Sequence, residues 1–324
     1  MKQDGMAPSR TIRVGTRSSQ LARTQTGWVV ERMRQLGLVV DVEMISTQGD
    51  ARTDVPIAGI GGDGVFVREL ERALLDGRID AAVHSYKDMP TAVTPGLAVT
   101  CVPERATAFD VLVGRTAATL EALSSGAGVG TSSIRRIMQV KAARSDVEVR
   151  PIRGNVDTRL RKLDAGEYDC LVLAGAGLER LGLGGRVTQV LQPPAFWPAI
   201  AQGALAIQIR GADVQLATAL AAMNDPPTHA AVLAERSCLA TLAGGCLAPI
   251  AGWGRVDAGR LVLGASVFGE EPSGVACLHV EESVPMPEHG NEESATALGR
   301  IVAERLIAQG ANEILEQVRR RLHG

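Results

Sequence analysis

Two segments of this chain, Gly130-Thr-Ser-Ser-Ile-Arg-Arg and Arg153-Gly-Asn-Val-Asp-Thr-Arg-Leu-Arg, carry five arginines between them: Arg135, Arg136, Arg153, Arg159 and Arg161. Both read as helix starts. Thr131, Ser132 and Ser133 can cap a helix while free backbone N–H groups and hydroxyls face an anion. Arg135, Arg136, Arg153 and Arg159 add planar forks suited to paired contacts with carboxylates. Formal net charge over the chain is only −2, so this local excess does not follow from a generally basic protein. The spacing predicts a site for a ligand bearing several carboxylates, with Arg161 and Lys162 left to solvent.

A second constellation, His84-Ser-Tyr-Lys-Asp-Met-Pro90, follows an apolar run directly. In an open α/β sheet the carboxyl ends of strands are where ligands bind. Asp88 beside Lys87, ahead of a proline turn, can exchange protons and stabilise a developing cation, or simply cap the turn. His84 reads as a hydrogen-bonded structural histidine. The third constellation is Gly244-Gly-Cys-Leu-Ala-Pro249, where two glycines let the backbone turn sharply and present the Cys246 thiol as a point of covalent attachment. A small buried cysteine is the plainer alternative, and Cys238 reads as packing. The glycines at 61, 62 and 64, and those at 175 and 177, fit neither a Walker loop nor a dinucleotide fingerprint, so no nucleotide cofactor is expected.

The elements that must position these groups alternate through the first two thirds of the 324 residues. A strand over 11–15 precedes a helix over 19–36 with Leu21, Trp28, Val29, Met33 and Leu36 on one side. The pattern repeats with a strand over 39–46, a helix over 64–76 stopped by Gly77, and a strand over 81–84. A second unit follows Pro103: a strand over 110–114, a helix over 132–143, a strand over 147–151, a helix over 155–165 and a strand over 170–174. Such βαβ repeats predict largely parallel sheets. A Pro-rich crossing at 192–198 leads to a strand over 204–210 that is a candidate to return to the first unit. Beyond Pro226 the texture changes to a helix over 229–242, an antiparallel sheet of strands over 250–256, 260–268 and 275–282, and one or two amphipathic helices over 294–322.

These boundaries predict an α/β domain over 11–103 with 204–222, a second over 104–203, and a smaller α+β domain over 226–324. No apolar leader occupies the first ten residues and no uncharged run is long enough to cross a bilayer, so a cytosolic protein is expected. Five cysteines without framework spacing predict reduced thiols and no metal site. Aromatic residues are 3 % and are not interleaved with the basic ones, which argues against nucleic acid and for a small molecule.

Taken in order, Arg13-Val-Gly-Thr-Arg-Ser-Ser-Gln-Leu-Ala, Phe66-Val-Arg-Glu-Leu-Glu, His84-Ser-Tyr-Lys-Asp-Met-Pro-Thr, the two arginine segments and Gly244-Gly-Cys resemble the porphobilinogen deaminase (hydroxymethylbilane synthase) family over roughly residues 11–254. The resemblance implies two domains like type 2 periplasmic binding proteins and a third carrying a dipyrromethane cofactor in thioether linkage to Cys246. It implies a monomeric transferase of heme and tetrapyrrole biosynthesis that joins four porphobilinogen molecules head to tail, releases ammonia, and hydrolyses the product free.

Asp88 matches the catalytic carboxylate. Ser85, Lys87, Thr131, Ser133, Arg135, Arg136 and Arg159 match cofactor-holding positions, and Arg17, Ser19, Gln25, Arg153, Asn155 and Arg180 match the substrate side. Asp63 stands where the family commonly has a lysine, with Arg52 and Arg68 as candidates to compensate, and Asp157 stands where a small residue is frequent. The rival reading is a non-catalytic cytosolic binding protein for small dicarboxylates; a DNA-binding regulator lacks a helix-turn-helix or a basic arm.

Overall fold

A computed structural model describes residues 10–45, 67–243, 248–272, 274–287 and 292–323. The chain divides into two compact units, one of residues 1–105 with 204–229 and one of residues 106–203 with 230–324.

In the first unit a five-stranded sheet has the order β2-β1-β3-β10-β4, with β1 Ile12–Thr16, β2 Val40–Met44, β3 Ala81–Ser85, β4 Leu97–Cys101 and β10 Leu205–Arg210. Helix α1, Gln20–Gln35, starts at Ser19, whose side chain accepts the Ala22 N–H, and with α6, Val214–Leu220, covers one face. Helix α2, Arg68–Leu75, covers the other through Leu70, Ala73 and Leu74, and Gly77 at φ +68 ends its turn. Apolar side chains thus close both sheet faces, each fully buried one adding roughly 1.5–3 kcal/mol.

Two expectations are corrected here. Val29 and Met33 of α1 are buried as expected and the half-buried Trp28 packs against the same core beneath the Arg32 guanidinium, but the buried stripe also takes in Gln25, Thr26 and Val30, while Leu36 lies past the last turn as the C-cap and is exposed. The sheets are mixed rather than largely parallel: β1 runs parallel to β2 and β3, but β10 is antiparallel to both β3 and β4. The reversal arises because β10 comes from the late crossing segment and not from a βαβ step. The returning strand itself was expected.

The second unit holds a matching sheet of order β7-β6-β8-β5-β9, comprising β5 Asp110–Gly114, β6 Gly128–Gly130, β7 Glu148–Arg150, β8 Cys170–Ala174 and β9 Gln189–Leu191. Helix α3, Ile134–Ala143, packs on one face and α4, Val156–Asp164, on the other, while the short α5, Gly175–Arg180, follows β8. Again β5 is antiparallel to both its neighbours. Strands β6 and β9, three residues each, carry too little periodicity to be read in advance.

The same unit includes an antiparallel sheet of β11 Ile250–Asp257, β12 Arg260–Glu271 and β13 Gly274–Pro285, as the alternation predicted. Helix α7, Pro226–Thr241, precedes it; α8, Glu293–Ala308, and α9, Ala311–His323, follow it, parted at Gly310 with φ +102. The described cysteines Cys101, Cys170, Cys238 and Cys277 are free; burial pushes the Cys238 thiol up to about 12, as suits a packing residue.

Candidate active site

Strand alternation sorts the groups at the end of β3. Ala81 and Val83 face α1, so Ser85 does too, and its hydroxyl exchanges hydrogen bonds with the Gln25 amide at 3.0 and 3.1 Å. His84 points to the α2 side, where it meets Gln208 Oε1 at 3.0 Å; Gln208 Nε2 donates to Glu71 at 2.9 Å. Burial lowers the His84 imidazole to about 4 against the raising effect of the Gln208 bond, and the Arg17 charge lowers it further, so at neutral pH it is an uncharged structural residue.

A single 3₁₀ turn, Tyr86–Asp88, follows. Tyr86 donates its N–H to Ala204 O and is buried, as is Met89, which pins the turn while Ser85, Lys87 and Asp88 remain half-buried. Among the described residues the Asp88 carboxylate has no hydrogen-bond or ion-pair partner. A carboxylate at a strand's carboxyl end without a partner among the described residues has its oxygens available to a ligand. Arg17 follows β1 and is half-buried, and Ser19 spends its side-chain oxygen on the cap of α1.

In the second unit the residue before α3 is Ser133, without a side-chain cap bond; Thr131 Oγ1 takes the Ser133 N–H at 3.3 Å and Ser132 Oγ exchanges bonds with the Ile152 backbone. The expected hydroxyl cap is therefore replaced by bonds that fix the loop's own path. Leu112 of β5 faces α3, and by the same alternation Asp110 does too. There it accepts Arg135 Nη1 at 2.6 Å and Arg136 Nε and Nη2 at 3.0 and 2.7 Å. Desolvation would raise the Asp110 carboxyl, but the two guanidiniums outweigh it and hold it well below the usual range. Arg135 also donates to Trp197 O at 2.6 Å and Arg136 to Val172 O at 3.0 Å.

Helix α4 starts at Asn155, whose Oδ1 takes the Thr158 N–H at 3.0 Å. Arg159 Nε donates to Gly154 O at 2.8 Å; burial, then the nearby charges of Arg136 and Arg153, pull its guanidinium down to about 10. Arg153 has no hydrogen-bond acceptor among the described residues. Arg180 closes α5, donates to Gly203 O at 2.7 Å and is likewise lowered to about 10 by burial.

Asp110 is thus the one carboxylate bonded to the cluster of Arg135, Arg136, Arg153 and Arg159, among the described residues. Partly desolvated positive charge in that excess calls for an anionic ligand. A dipyrromethane bearing acetate and propionate groups has the chemistry this donor set fits. Arg161 is exposed, as expected. Cys246, Gly244, Gly245, Asp63, Arg52, Phe66 and the glycines at 61, 62 and 64 lie outside the described residues.

Asp110, Gln139, Trp197 and Gln202 went unread in the sequence. Only Asp110 left a signal, an acid opening the otherwise apolar run Val111-Leu-Val. Arg13, the first residue of its motif, is absorbed structurally: its backbone N–H and Nε donate to buried Asp80 at 2.9 and 3.2 Å, which also takes Arg210 at 2.6 Å.

Residues 12–218 match the family described as porphobilinogen deaminase, dipyromethane cofactor binding domain, and residues 229–308 match the porphobilinogen deaminase C-terminal domain. A porphobilinogen deaminase of Syntrophobacter fumaroxidans is 44 % identical over 313 residues, 96 % of this chain and 99 % of the relative. One of Desulforudis audaxviator is 46 % identical over 312 residues, 96 % and 98 % of the two chains. Among solved structures, a periplasmic substrate-binding protein of an ABC transporter from Coxiella burnetii is similar with a TM-score of 0.41 and 16 % identity, over 69 % of this chain and 94 % of that one.

Proposed function

The chain belongs to the porphobilinogen deaminase family, and on that premise we propose how its own residues carry the reaction. It is a transferase of tetrapyrrole and heme biosynthesis that condenses four porphobilinogen molecules head to tail on a covalent dipyrromethane, releases four ammonia, and hydrolyses the chain to hydroxymethylbilane. The dipyrromethane, held in thioether linkage at Cys246, supplies the pyrrole carbon on which the chain is built. Cys246 itself falls on the connection between α7 and β11.

Asp88 is the catalytic carboxylate in this reading. It accepts hydrogen bonds from pyrrole N–H groups and faces the positive charge that develops on the substrate as its C–N bond breaks and ammonia leaves. Among the described residues it has no partner to shed before it acts. Ser85, Lys87, Thr131, Ser133, Arg135, Arg136 and Arg159 hold the cofactor's acetate and propionate groups, while Arg17, Ser19, Gln25, Arg153, Asn155 and Arg180 serve the substrate. The Asn155 amide nitrogen remains available as a donor once its oxygen is spent on the cap.

The observation that carries this division is the surplus of guanidinium over carboxylate around Arg159. Each added pyrrole brings two further acids, so the charge to be neutralised grows with the chain. Nothing observed favours the alternative of a non-catalytic dicarboxylate-binding protein.

We divide the chain into three domains, 11–103 with 204–222, 104–203 and 226–324, a reading that the presence of three separate sheets supports. We further place the protein in the cytosol as a monomer working on a small molecule, with neither nucleic acid nor membrane as partner. Among the described residues no helix is long and apolar enough to cross a membrane.

Asp88→Asn tests the reading, because it keeps the shape and removes the charge. Ammonia release from porphobilinogen should fall by roughly a hundredfold or more with the fold intact by circular dichroism. Near-normal ammonia release would overturn the assignment of the acid.

A further inference from the structure

One segment, residues 197–203, supplies acceptors to three of the arginines assigned above. Trp197 O takes Arg135 Nη1 at 2.6 Å, Gln202 Oε1 takes Arg136 Nη2 at 3.4 Å, and Gly203 O takes Arg180 Nη2 at 2.7 Å. A guanidinium points where its acceptors stand, so whatever fixes this segment also aims those forks.

The segment is fixed from α3 by Gln139, one turn beyond Arg135 on the same helix. The amide of Gln139 grips the backbone of Trp197 on both sides: its Nε2 donates to Trp197 O at 3.0 Å and its Oε1 accepts the Trp197 N–H at 2.6 Å. Gln139 is only 2 % exposed, so these bonds are made without competition from water. The indole of Trp197 packs against the antiparallel sheet, its ring 4.5 Å from that of His279 on β13. Gly264 of β12 makes the room, since a Cβ there would come within 2.6 Å of the indole. The carbonyl that receives Arg135 is thus clamped between a helix and a sheet, and the amide of Gln139 is the polar half of the clamp.

We propose that Gln139 is a positioning residue for the condensation: it fixes the Trp197 carbonyl and thereby the direction of the Arg135 guanidinium that holds a cofactor carboxylate. This rests on the reading of Arg135 given above, and the test separates the two.

Wild type, Gln139→Met, Gln139→Glu and Arg135→Met are prepared as apoproteins. Porphobilinogen is added, and the rate at which each gains two pyrroles is followed by intact mass; kcat and KM are then measured on the loaded enzymes. Gln139→Met removes both bonds to Trp197 and should lower the rate constant of loading about tenfold, with nearly all molecules loading in the end, and lower kcat about tenfold with KM within twofold; a mere loss of folded protein would instead shrink the fraction that loads and leave the rate constant of loading unchanged. Gln139→Glu keeps the acceptor for the Trp197 N–H and sets a second acceptor against its carbonyl. It should show the same defect, and it decides the matter if the Met variant fails to fold.

Loading and kcat within twofold of wild type in a folded Gln139 variant, while Arg135→Met impairs both, would overturn the positioning role alone. Normal behaviour of Arg135→Met would overturn the reading of Arg135 and this inference with it.

Discussion

Two aspartates in this chain show how surroundings divide one chemistry into two roles. Asp110 is fully buried and saturated by Arg135, Arg136 and Gln202, a fixed counter-charge that orders the arginines. Asp88 is half-buried and unpartnered among the described residues, which suits a carboxylate meant for a ligand. His84, four residues before Asp88, is a stability element with a defined pH signature. Its folded value near 4 lies below the 6.5 of a free imidazole, so as pH falls the unfolded chain takes up the proton first. The contribution, roughly 3 kcal/mol, is complete above the unfolded value and is lost as pH drops from about 6.5 towards 4. Urea unfolding at pH 7 and pH 5 should therefore show wild type losing about 2 kcal/mol more than His84→Gln between the two pH values. Equal losses in both proteins would sink this account.

The decisive feature among the elements is the period of two along β3 and β5. It sends Ser85 to α1 and His84 to α2, and it turns Asp110 towards the helix that carries Arg135 and Arg136. The connection into β10 depends on Gly203, which sits at φ +87, where a Cβ would collide with the Thr107 and Ala106 carbonyl oxygens, the latter at 2.6 Å. Left-handed backbone and a backbone clash together set a cost for any side chain there. Gly203→Ala should lower the free energy of unfolding by about 2–3 kcal/mol in a urea titration and, by moving the acceptor of Arg180, raise KM for porphobilinogen. A variant as stable as wild type would show that the crossing can relax around a methyl group. The strand returning after the Pro-rich crossing is legible in the sequence because residues 204–209 are apolar but for Gln208. Its direction was not legible, because a strand's sequence looks the same whichever way its neighbours run.

For the molecule as a whole, the cofactor is the feature most directly weighed. The denatured protein, purified from a host that makes porphobilinogen, should exceed its polypeptide mass by two linked pyrrole units, and Cys246→Ser should show the bare mass. An excess that survives Cys246→Ser would move the attachment to another residue. What the sequence by itself determined was the chemistry in order: Asp88, the arginine pairs and Gly244-Gly-Cys stand in local motifs, because a turn, a cap or an attachment point needs its residue types within a few positions of each other. The longer elements followed from hydrophobic period for the same local reason, whereas β4, β6 and β9 did not. Only the tertiary structure decided which arginines are anchored by a buried carboxylate of the chain itself. Asp110 finds Arg135 and Arg136 across 25 and 26 residues of chain, and Gln139 reaches Trp197 across 58, pairings between buried groups brought together by strand alternation and sheet order, which no local spacing encodes.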